Sequence, residues 1–304
     1  MKLVALAGGT GSARLLRGLH RLPVDLTVVA NVGDNFWAYG VYVCPDIDTA
    51  TYTLAGMADA NKGWGIAGDT FEVLSRLSSL GAETWFRLGD RDLALCLLRT
   101  DLMRRGRTLT EATERIRTAL QVHCPILPVS DDPVETRIVT PRGDIHLQEF
   151  WVRDGGHPQV HSVLYRGARR AHLSPGVATA LTRADRVLIC PANPVTSIGP
   201  MLAIPGLSGV LASSKARVVA LSPMQGGAPF SGPAGKLMRA IGSRPNSAEV
   251  ARLYAAFLDC IVISDGDSGM CRRIEKLGVR CSTADTRMKG PEDEIRLAKA
   301  LLEI

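Results

Sequence analysis

The sequence predicts an α/β fold: a Rossmann-like, doubly wound and mostly parallel sheet with an antiparallel β insertion and a helical, lid-like segment. Three patterns predict it. Residues 2–30 follow the order strand, glycine loop, helix and strand, which is a βαβ unit. Residues 136–165 change to the two-residue period of antiparallel strands, separated by turn residues. Short apolar strands then return between residues 186 and 283.

The individual elements follow from local periodicity. In the first unit, strands cover residues 2–6 and 25–30, and a helix covers 13–22, where leucines recur at helical spacing. Residues 31–68 are rich in Gly, Asp, Asn and aromatic residues, and such a long irregular stretch is usually functional. The remaining elements are helices at 70–80, 93–105, 110–122 (capped by Thr110) and 291–302, and strands at 136–140, 145–152, 159–165, 186–190, 217–221, 260–264 and 279–283.

A single α/β domain is expected over residues 1–304, because a chain of this length can bury a sizeable core without cross-links. Residues 1–54 and 166–304 form the predicted Rossmann-like core. Residues 55–125 form the helical segment, and residues 126–165 form the antiparallel insertion.

Composition excludes several classes of protein. Hydrophobic residues make up 46% and charged residues 22% of the chain, which is typical of a globular protein. Apolar runs are far shorter than the ~20 residues that span a bilayer, so no membrane partner is expected. The seven cysteines are scattered without a CxxC pair, which predicts reduced thiols in a cytoplasmic protein.

The formal charge is +6, and 29 of the 36 basic residues are arginine. Since no run of five basic residues occurs, nucleic acid is not the expected partner. A small anionic substrate such as a phosphate ester explains an arginine-rich surface equally well.

Polar, glycine-rich loops follow the predicted strands of the core. In a doubly wound sheet, ligands bind beyond the carboxyl ends of the strands. If the strands are parallel, these loops share one edge of the sheet and form one large active site. The loops cover residues 7–12, 31–35, 191–197, 222–236 and 264–267.

The first loop contains Gly8, Gly9, Thr10 and Gly11, where the backbone can approach a phosphate at the start of a helix. The dinucleotide pattern GxGxxG fails because Arg14 occupies the position of its last glycine. The second strand also ends without an acidic ribose ligand, and no Gly-Lys-Ser/Thr follows the loop. An NAD enzyme is therefore disfavoured. For the loop itself, a tight strand-to-helix turn without a ligand remains an alternative.

Acidic pairs are candidate metal ligands. Asp46 and Asp48 can hold Mg²⁺ beside substrate phosphates, or they can be solvated loop acids or a helix cap. Asp131 and Asp132 form a second acidic pair, which as a bare motif is more often a turn.

Other polar residues are candidate ligands for a nucleotide. Asn193, Thr196 and Ser197 follow a strand and can donate to a phosphate or a base edge, or cap a helix. Lys236 ends a glycine-rich loop and can neutralise a phosphate, although surface lysines are common.

The four tryptophans are residues 37, 64, 85 and 151, and tryptophan is more often part of a core than of a ligand platform. Trp37 and Trp64 lie among glycines, where a flat aromatic ligand can stack.

Several segments, in order, resemble the 2-phospho-L-lactate transferase family. They cover nearly the whole chain and are Gly8-Gly9-Thr10-Gly11, Cys44-Pro45-Asp46-Ile47-Asp48-Thr49, Trp64-Gly65-Ile66 with Asp69-Thr70-Phe71, Leu88-Gly89-Asp90-Arg91-Asp92, Leu127-Pro128-Val129-Ser130-Asp131-Asp132-Pro133, Gln148-Glu149-Phe150-Trp151, Asn193-Pro194-Val195-Thr196-Ser197-Ile198-Gly199-Pro200 and Ser231-Gly232-Pro233-Ala234-Gly235-Lys236-Leu237-Met238.

The resemblance implies an enzyme of coenzyme F-420 biosynthesis. In this family the ribityl hydroxyl of the deazaflavin Fo (7,8-didemethyl-8-hydroxy-5-deazariboflavin) attacks a three-carbon acid linked to GDP. The attack is at the phosphorus nearest the acid, GMP leaves, and F-420-0 or dehydro-F-420-0 forms. The reaction depends on positioning and charge neutralisation, which Mg²⁺ on the diphosphate would supply. A homodimer is also implied.

The resemblance also implies roles for individual residues. Asp46, Asp48 or both would hold Mg²⁺, and one carboxylate could also accept the hydroxyl proton. Asp48 and Arg87 match positions that contact Fo, and the loops at 8–11 and 193–197 would hold the guanosine diphosphate part. Lys236 fits phosphate or Fo binding. The sequence departs from the family at residue 44, where cysteine replaces an expected serine.

The resemblance leaves open the identity of the donor acid and the class of function. Archaeal members use a lactyl donor, whereas actinobacterial members resemble enolpyruvyl users. Arginine-rich composition indicates a GC-rich bacterial genome, so we predict the enolpyruvyl donor. The alternative function is a regulator of the gluconeogenesis-factor type, which binds a nucleotide sugar, and residues 45–48 and 231–238 favour the transferase.

Overall fold

A computed structural model describes residues 1–59, 62–229 and 232–304. The strands are β1 (Lys2–Ala7), β2 (Asp25–Ala30), β3 (Phe36–Ala38), β4 (Val41–Val43), β5 (Ile126–Pro128), β6 (Glu135–Thr140), β7 (Gly143–His146), β8 (Ser162–Arg166), β9 (Arg186–Ile189), β10 (Arg217–Leu221), β11 (Met224–Gln225), β12 (Ala228–Pro229), β13 (Cys260–Ser264) and β14 (Arg280–Ala284).

The helices alternate with these strands along most of the chain. They are α1 (Gly9–His20), α2 (Pro45–Leu54), α3 (Glu72–Ser79), α4 (Asp90–Arg104), α5 (Leu109–Ala119), α6 (Val177–Arg183), α7 (Gly199–Leu202), α8 (Leu207–Ser213), α9 (Ala234–Ala240), α10 (Ser247–Tyr254), α11 (Cys271–Glu275) and α12 (Pro291–Glu303).

Seven parallel strands form the central sheet in the order β14-β13-β10-β9-β1-β2-β5. These strands are short apolar runs because both faces of a parallel sheet are covered, and all five residues of β13 are buried. The chain moves from β1 to β2 in one direction and later from β9 to β14 in the other. The strand order therefore reverses between β1 and β9, which is where ligands bind in such sheets.

Helices cover both faces of the sheet, since right-handed crossovers in opposite directions lead to opposite faces. Helix α1 packs against α12, and α6 packs against α8. Leu15, Leu16 and Leu19 of α1 are fully buried toward the sheet. The predicted α/β fold with a parallel, doubly wound sheet is confirmed.

The helical segment consists of α3, α4 and α5. Leu74, Leu88 and Leu93 form a small core with the β3–β4 hairpin. Helix α5 begins after Thr108 rather than at the predicted cap, Thr110. The Thr108 hydroxyl accepts from the Glu111 N–H at 3.1 Å, and the Glu111 carboxylate accepts from the Thr108 N–H at 2.8 Å, forming a capping box.

The antiparallel insertion is present, in the order β7-β6-β8. Two expectations within it were wrong. Residues 126–128 form β5, which pairs with β2 at the edge of the central sheet, where the missing N–H of Pro128 is tolerated. Residues 149–153 form a π-helix instead of extending the preceding strand, because the Glu149 carboxylate accepts from the His146 N–H at 2.8 Å and ends the strand.

The cysteines were expected to be reduced. The structure instead joins Cys271 and Cys281 in a disulfide, because α11 and β14 bring their Cα atoms to 5.3 Å, a separation that spacing in the sequence does not reveal. Cys44, Cys96, Cys124, Cys190 and Cys260 are free thiols.

Across the described residues, no helix is both long and apolar enough to cross a membrane.

Candidate active site

A cavity of about 510 Å³ lies beyond the carboxyl ends of the central strands. The loops after β1, β2, β9 and β10 line it, together with the start of α2 and parts of the helical segment and the insertion. The predicted loop at 264–267 contacts the loop at 222–236, since the Asp267 carboxylate accepts from the Gly226 N–H at 3.1 Å. The predicted convergence of the loops on one site is therefore found for four loops directly.

The glycine loop forms the floor of the cavity at the start of α1. Gly8, Gly9, Thr10 and Gly11 all line it. Gly8 must be glycine because an added Cβ would lie 2.7 Å from the Ser197 Cβ. The loop after β9 therefore packs directly against the loop after β1.

The loop after β9 contributes Asn193, Thr196 and Ser197 to the same cavity. The Asn193 side-chain oxygen accepts from the Val195 N–H at 3.0 Å, which holds the turn. Asn31 then donates from Nδ2 to the Thr196 carbonyl at 3.2 Å, linking this loop to the one after β2. The predicted nucleotide-binding groups on the two loops are thus brought together.

Two carboxylates, Asp34 and Asp46, line the cavity beside these loops and are buried. The Asn31 amide donates to both, at 3.1 Å to Asp34 and 2.8 Å to Asp46, and the Gly9 N–H donates to Asp46 at 2.7 Å. Burial and the neighbouring charge of Asp46 raise the pKa of Asp34 well above its usual range. Burial also raises the pKa of Asp46, partly offset by its hydrogen bonds.

Asp34 was not predicted as a site residue. Its position in the loop after β2, one of the five converging loops, was the signal that could have identified it.

Asp48 differs from Asp46 in its surroundings. The two residues lie in the first turn of α2 rather than in an irregular segment. Residues two apart on a helix differ in direction by about 200°, so the side chains cannot share one ligand. Asp48 is turned toward α4, where it pairs with the buried Arg99. The two carboxylates therefore do not face one ligand, and metal binding by Asp46, which lines the cavity, stays a prediction.

Aromatic side chains form a further part of the cavity wall. Trp64, Trp85, Phe86 and Trp151 belong to it, and so does Arg87, which packs over the Phe71 ring at 4.5 Å. Trp85 and Trp151 were expected to be core residues. Their role in the wall depends on the fold of residues 85–87 and of the π-helix, which spacing in the sequence does not show.

Trp37, a predicted aromatic ligand contact, lies elsewhere. It is on β3, is 57% exposed and packs against Tyr42 of the same hairpin, facing a separate depression of the surface. The structure therefore does not bring Trp37 to the cavity that Trp64 lines, because the β3 side chain faces outward.

Comparisons with known proteins identify the family. Residues 3–298 match the model of "2-phospho-L-lactate transferase CofD". The chain belongs to the 2-phospho-L-lactate transferase CofD family. This confirms the family predicted from the motifs, and with it an enzyme of this transferase type.

Members of the CofD family resemble the chain over its whole length. A 2-phospho-L-lactate transferase of Methanosarcina acetivorans is 43% identical over 98% of this chain and 97% of its own. A phosphoenolpyruvate transferase of Streptomyces griseus is 38% identical over 100% and 98%, respectively. A crystal structure of a UPF0052 protein from Bacillus halodurans shares the fold, with a TM-score of 0.66 and 17% identity over 99% of this chain and 98% of its own.

Lys236, which the CofD resemblance placed at a phosphate or at Fo, is engaged elsewhere. Its ammonium donates to the carbonyls of Gly156 at 2.7 Å and His157 at 3.0 Å. It therefore ties α9 to the insertion. The preceding residues of the same CofD segment, 232–234, do line the cavity, and Ser231 lies outside the described residues.

The two carboxylates of the second acidic pair, suggested as a metal site, have different partners. Asp131 accepts from the Thr110 N–H at 2.7 Å and from its hydroxyl at 2.8 Å, at the first turn of α5. Asp132 accepts from the His172 N–H at 2.8 Å and contacts its ring. The two carboxylates thus hold different elements, so the turn interpretation of this pair applies.

Proposed function

We propose that this enzyme transfers a phospho-three-carbon-acid group from a GDP-linked donor to the ribityl hydroxyl of Fo. A P–O bond to the acceptor forms, the bond to GMP breaks, and F-420-0 or dehydro-F-420-0 results. The single observation that supports this is one cavity whose lining includes both a glycine loop at a helix N-terminus and three tryptophans. Family membership supports the same reaction.

On the donor side, the start of α1 and the loop after β9 suit a diphosphate. The N-terminus of a helix carries a partial positive charge and attracts anions. The Thr10, Thr196 and Ser197 hydroxyls lie around it and can donate to phosphate oxygens.

On the acceptor side, the cavity suits a flat, uncharged ring system. Trp64, Trp85 and Trp151 offer apolar faces on which a deazaflavin can stack. Arg87 supplies hydrogen-bond donors within this wall for the polar edge of the ring. The predicted Fo contacts Arg87 and Trp64 lie on this wall, whereas Asp48 does not face it.

The residues of the cavity fit Mg²⁺. Asp34 and Asp46 are buried carboxylates that share one amide donor, and burial raises the pKa of both. Magnesium prefers oxygen ligands of this kind beside substrate phosphates. When bound, it would neutralise charge on the diphosphate. Asn31 and Gln148 would hold the carboxylates in place, the latter through a 3.3 Å contact with Asp34.

The same carboxylates are the proposed acceptors of the hydroxyl proton. A buried carboxylate oxygen that is not bound to the metal is a stronger base than an ordinary surface aspartate. Asp46 lies at the junction of the glycine loop and α2, next to where the reacting phosphorus would be held. Asp48 is proposed to act on the reaction only through the placement of α2.

The reaction is tested by mixing the purified protein with Fo, Mg²⁺ and each GDP-linked acid, and following deazaflavin products by mass spectrometry. Asp46→Asn and Asp34→Asn should each lower kcat by about 100-fold or more and raise the Mg²⁺ requirement, because a charge beside the diphosphate is lost. Asp132→Asn, outside the cavity, is the matched control and should keep full activity.

The same assay identifies the preferred donor and tests the alternative function. We predict higher turnover with the enolpyruvyl donor, and a strong preference for the lactyl donor would contradict this. Absence of product together with absence of Fo binding would favour a nucleotide-sugar-binding regulator. The homodimer stays a prediction, to be checked by light scattering.

A further inference from the structure

A second cavity of about 260 Å³ adjoins the first behind the glycine loop. The two share part of their walls, at Thr10, Gly11, Thr49, Trp64 and Pro191. Cavities that hold one small organic ligand measure roughly 300–1,000 Å³. The first cavity, at about 510 Å³, is therefore small for two substrates, and the second has room for part of one.

The cationic side chains of the second cavity differ in their pairing. Arg17 pairs with the Glu294 carboxylate through two hydrogen bonds, and Lys62 pairs with Asp59 at 3.3 Å. Arg14 contacts only a backbone carbonyl, that of Met288 at 3.2 Å, and forms no ion pair with any described residue. Arg14, which is exposed to solvent, is thus the cation of this cavity that no described acidic side chain neutralises.

Two buried hydroxyl groups in the same wall also lack partners. Thr53 is 4% exposed and Thr286 is 1% exposed, and neither Oγ1 atom has a hydrogen-bond partner within the described ranges of the chain. Buried polar groups are nearly always hydrogen-bonded in folded proteins, so an unpaired one requires an explanation. Both Oγ1 atoms are shielded from the cavity that their residues line, and a ligand with acceptor atoms would provide the explanation if the two side chains turn toward it on binding.

We propose that the second cavity is a subsite for an oxyanion of the donor, bound by Arg14 and by the hydroxyls of Thr53 and Thr286. All three groups can donate hydrogen bonds, and the ligand must therefore supply acceptor oxygens and negative charge. The oxyanion is either the carboxylate of the three-carbon acid or a phosphate oxygen of the diphosphate. This inference rests on the proposed function, in which the donor is the charged substrate and Fo is uncharged.

Arg14→Met tests the subsite by isothermal titration with GDP and with the GDP-linked acid, and by the KM of each substrate. We expect donor affinity to fall by about tenfold to a hundredfold, as for the loss of a charge-assisted hydrogen bond, and the KM of Fo to stay unchanged. Arg14→Lys should recover part of the loss. The control is Arg21→Met, which removes an exposed arginine directly after the last residue of α1.

The two ligands distinguish the source of the oxyanion. Weaker binding of the GDP-linked acid with unchanged binding of GDP would assign the subsite to the carboxylate. Equal weakening of both would assign it to the diphosphate. Unchanged binding of both, with wild-type protein that binds GDP normally, would overturn the subsite and leave the proposed function intact. Failure of the wild-type protein to bind GDP would overturn both.

Thr286→Val provides a second, independent test. The substitution replaces an unpaired hydroxyl by a methyl group of the same shape, and we expect an unchanged or higher Tm. Donor affinity should nevertheless fall by about tenfold, which a purely structural role would not produce. A lower Tm with unchanged donor affinity would contradict the proposal.

Discussion

Arg99 of α4 and Asp48 of α2 form a buried ion pair, in which Nη1 of the arginine donates to Oδ2 of the aspartate at 3.0 Å. The side chain of Arg99 is 1% exposed. Asp92 and Cys96 lie close enough to Asp48 for all three to hold a metal, but the guanidinium already supplies the positive charge. The pair joins the helix that carries Asp46 to the segment that carries the aromatic wall.

Arg99→Met should lower the free energy of unfolding by about 3–5 kcal/mol, because it leaves Asp48 buried without a counter-charge. Urea denaturation measures the change. Arg105→Met, which breaks the exposed pair with Asp101 next to the same helix, is the matched control and should cost less than about 1 kcal/mol. Equal losses in the two variants would show that Asp48 is not effectively buried.

Asp92 should make stability depend on pH. Burial, with a contribution from the charge of Asp48, raises the pKa of Asp92 to about 7, against about 3.9 in the unfolded chain. Between these values the folded protein binds the extra proton, so Asp92 lowers stability as pH rises from about 4 to about 7.

Asp92→Asn removes this titration and keeps an oxygen for the Tyr52 hydroxyl, which donates to Asp92 at 2.6 Å. The variant should therefore gain stability relative to wild type across this range, by less than about 1.4 kcal/mol per pH unit, and no further above it. Urea denaturation at several pH values measures the difference, and parallel curves for the two proteins would rule the titration out.

Gly8→Ala should inactivate the enzyme through lack of space. The φ of Gly8 is −168°, which any residue can adopt, but the new Cβ would lie 2.7 Å from the Ser197 Cβ and 2.9 Å from Oδ2 of Asp46. Displacing these groups should lower kcat/KM by about 100-fold or more. Gly209→Ala, on α8 with open space around it, should instead stabilise the protein by about 0.5–1 kcal/mol and keep full activity.

Trp85→Ala and Trp151→Ala should weaken Fo binding, whereas Trp37→Ala should not. The first two side chains line the cavity, and Trp37 lies outside it. Loss of one stacking surface typically costs about 1–3 kcal/mol. Fluorescence titration with Fo measures the affinity. A loss confined to Trp37→Ala would place the acceptor on the β3–β4 hairpin instead.

Local patterns predicted the core of the fold well. The strands at 25–30, 217–221 and 260–264 have the predicted bounds, since each is a short apolar run ended by polar or turn-forming residues. The strand at 126–128 was not predicted, and its residues were included in the antiparallel insertion. Its partner β2 lies about 100 residues earlier in the chain, and three residues carry too little periodicity to identify an edge strand.

The site was predicted only in part, because the order of elements places loops but not the directions of side chains. Loops that follow parallel strands must meet at one edge, so the glycine loop and Asn193 could be placed together from the order of elements alone. The direction of a side chain depends on its partner. Asp48 turns to an arginine 51 residues away, and Lys236 to carbonyls about 80 residues away, and neither partner is marked in the local sequence.

The packing of α12 on α1 has a consequence for the order in which the site is assembled. Arg17 of α1 donates to the buried carboxylate of Glu294 at 3.0 Å, and a Cβ at Gly18 would lie 2.2 Å from the Glu294 carbonyl oxygen. The helix that begins at the glycine loop thus packs against residues that lie some 270 positions later in the chain. During synthesis, the loop near the amino terminus cannot reach its final support until residues 291–303 have left the ribosome, so a nascent chain that ends before them should hold nucleotide poorly even though every cavity residue is already present.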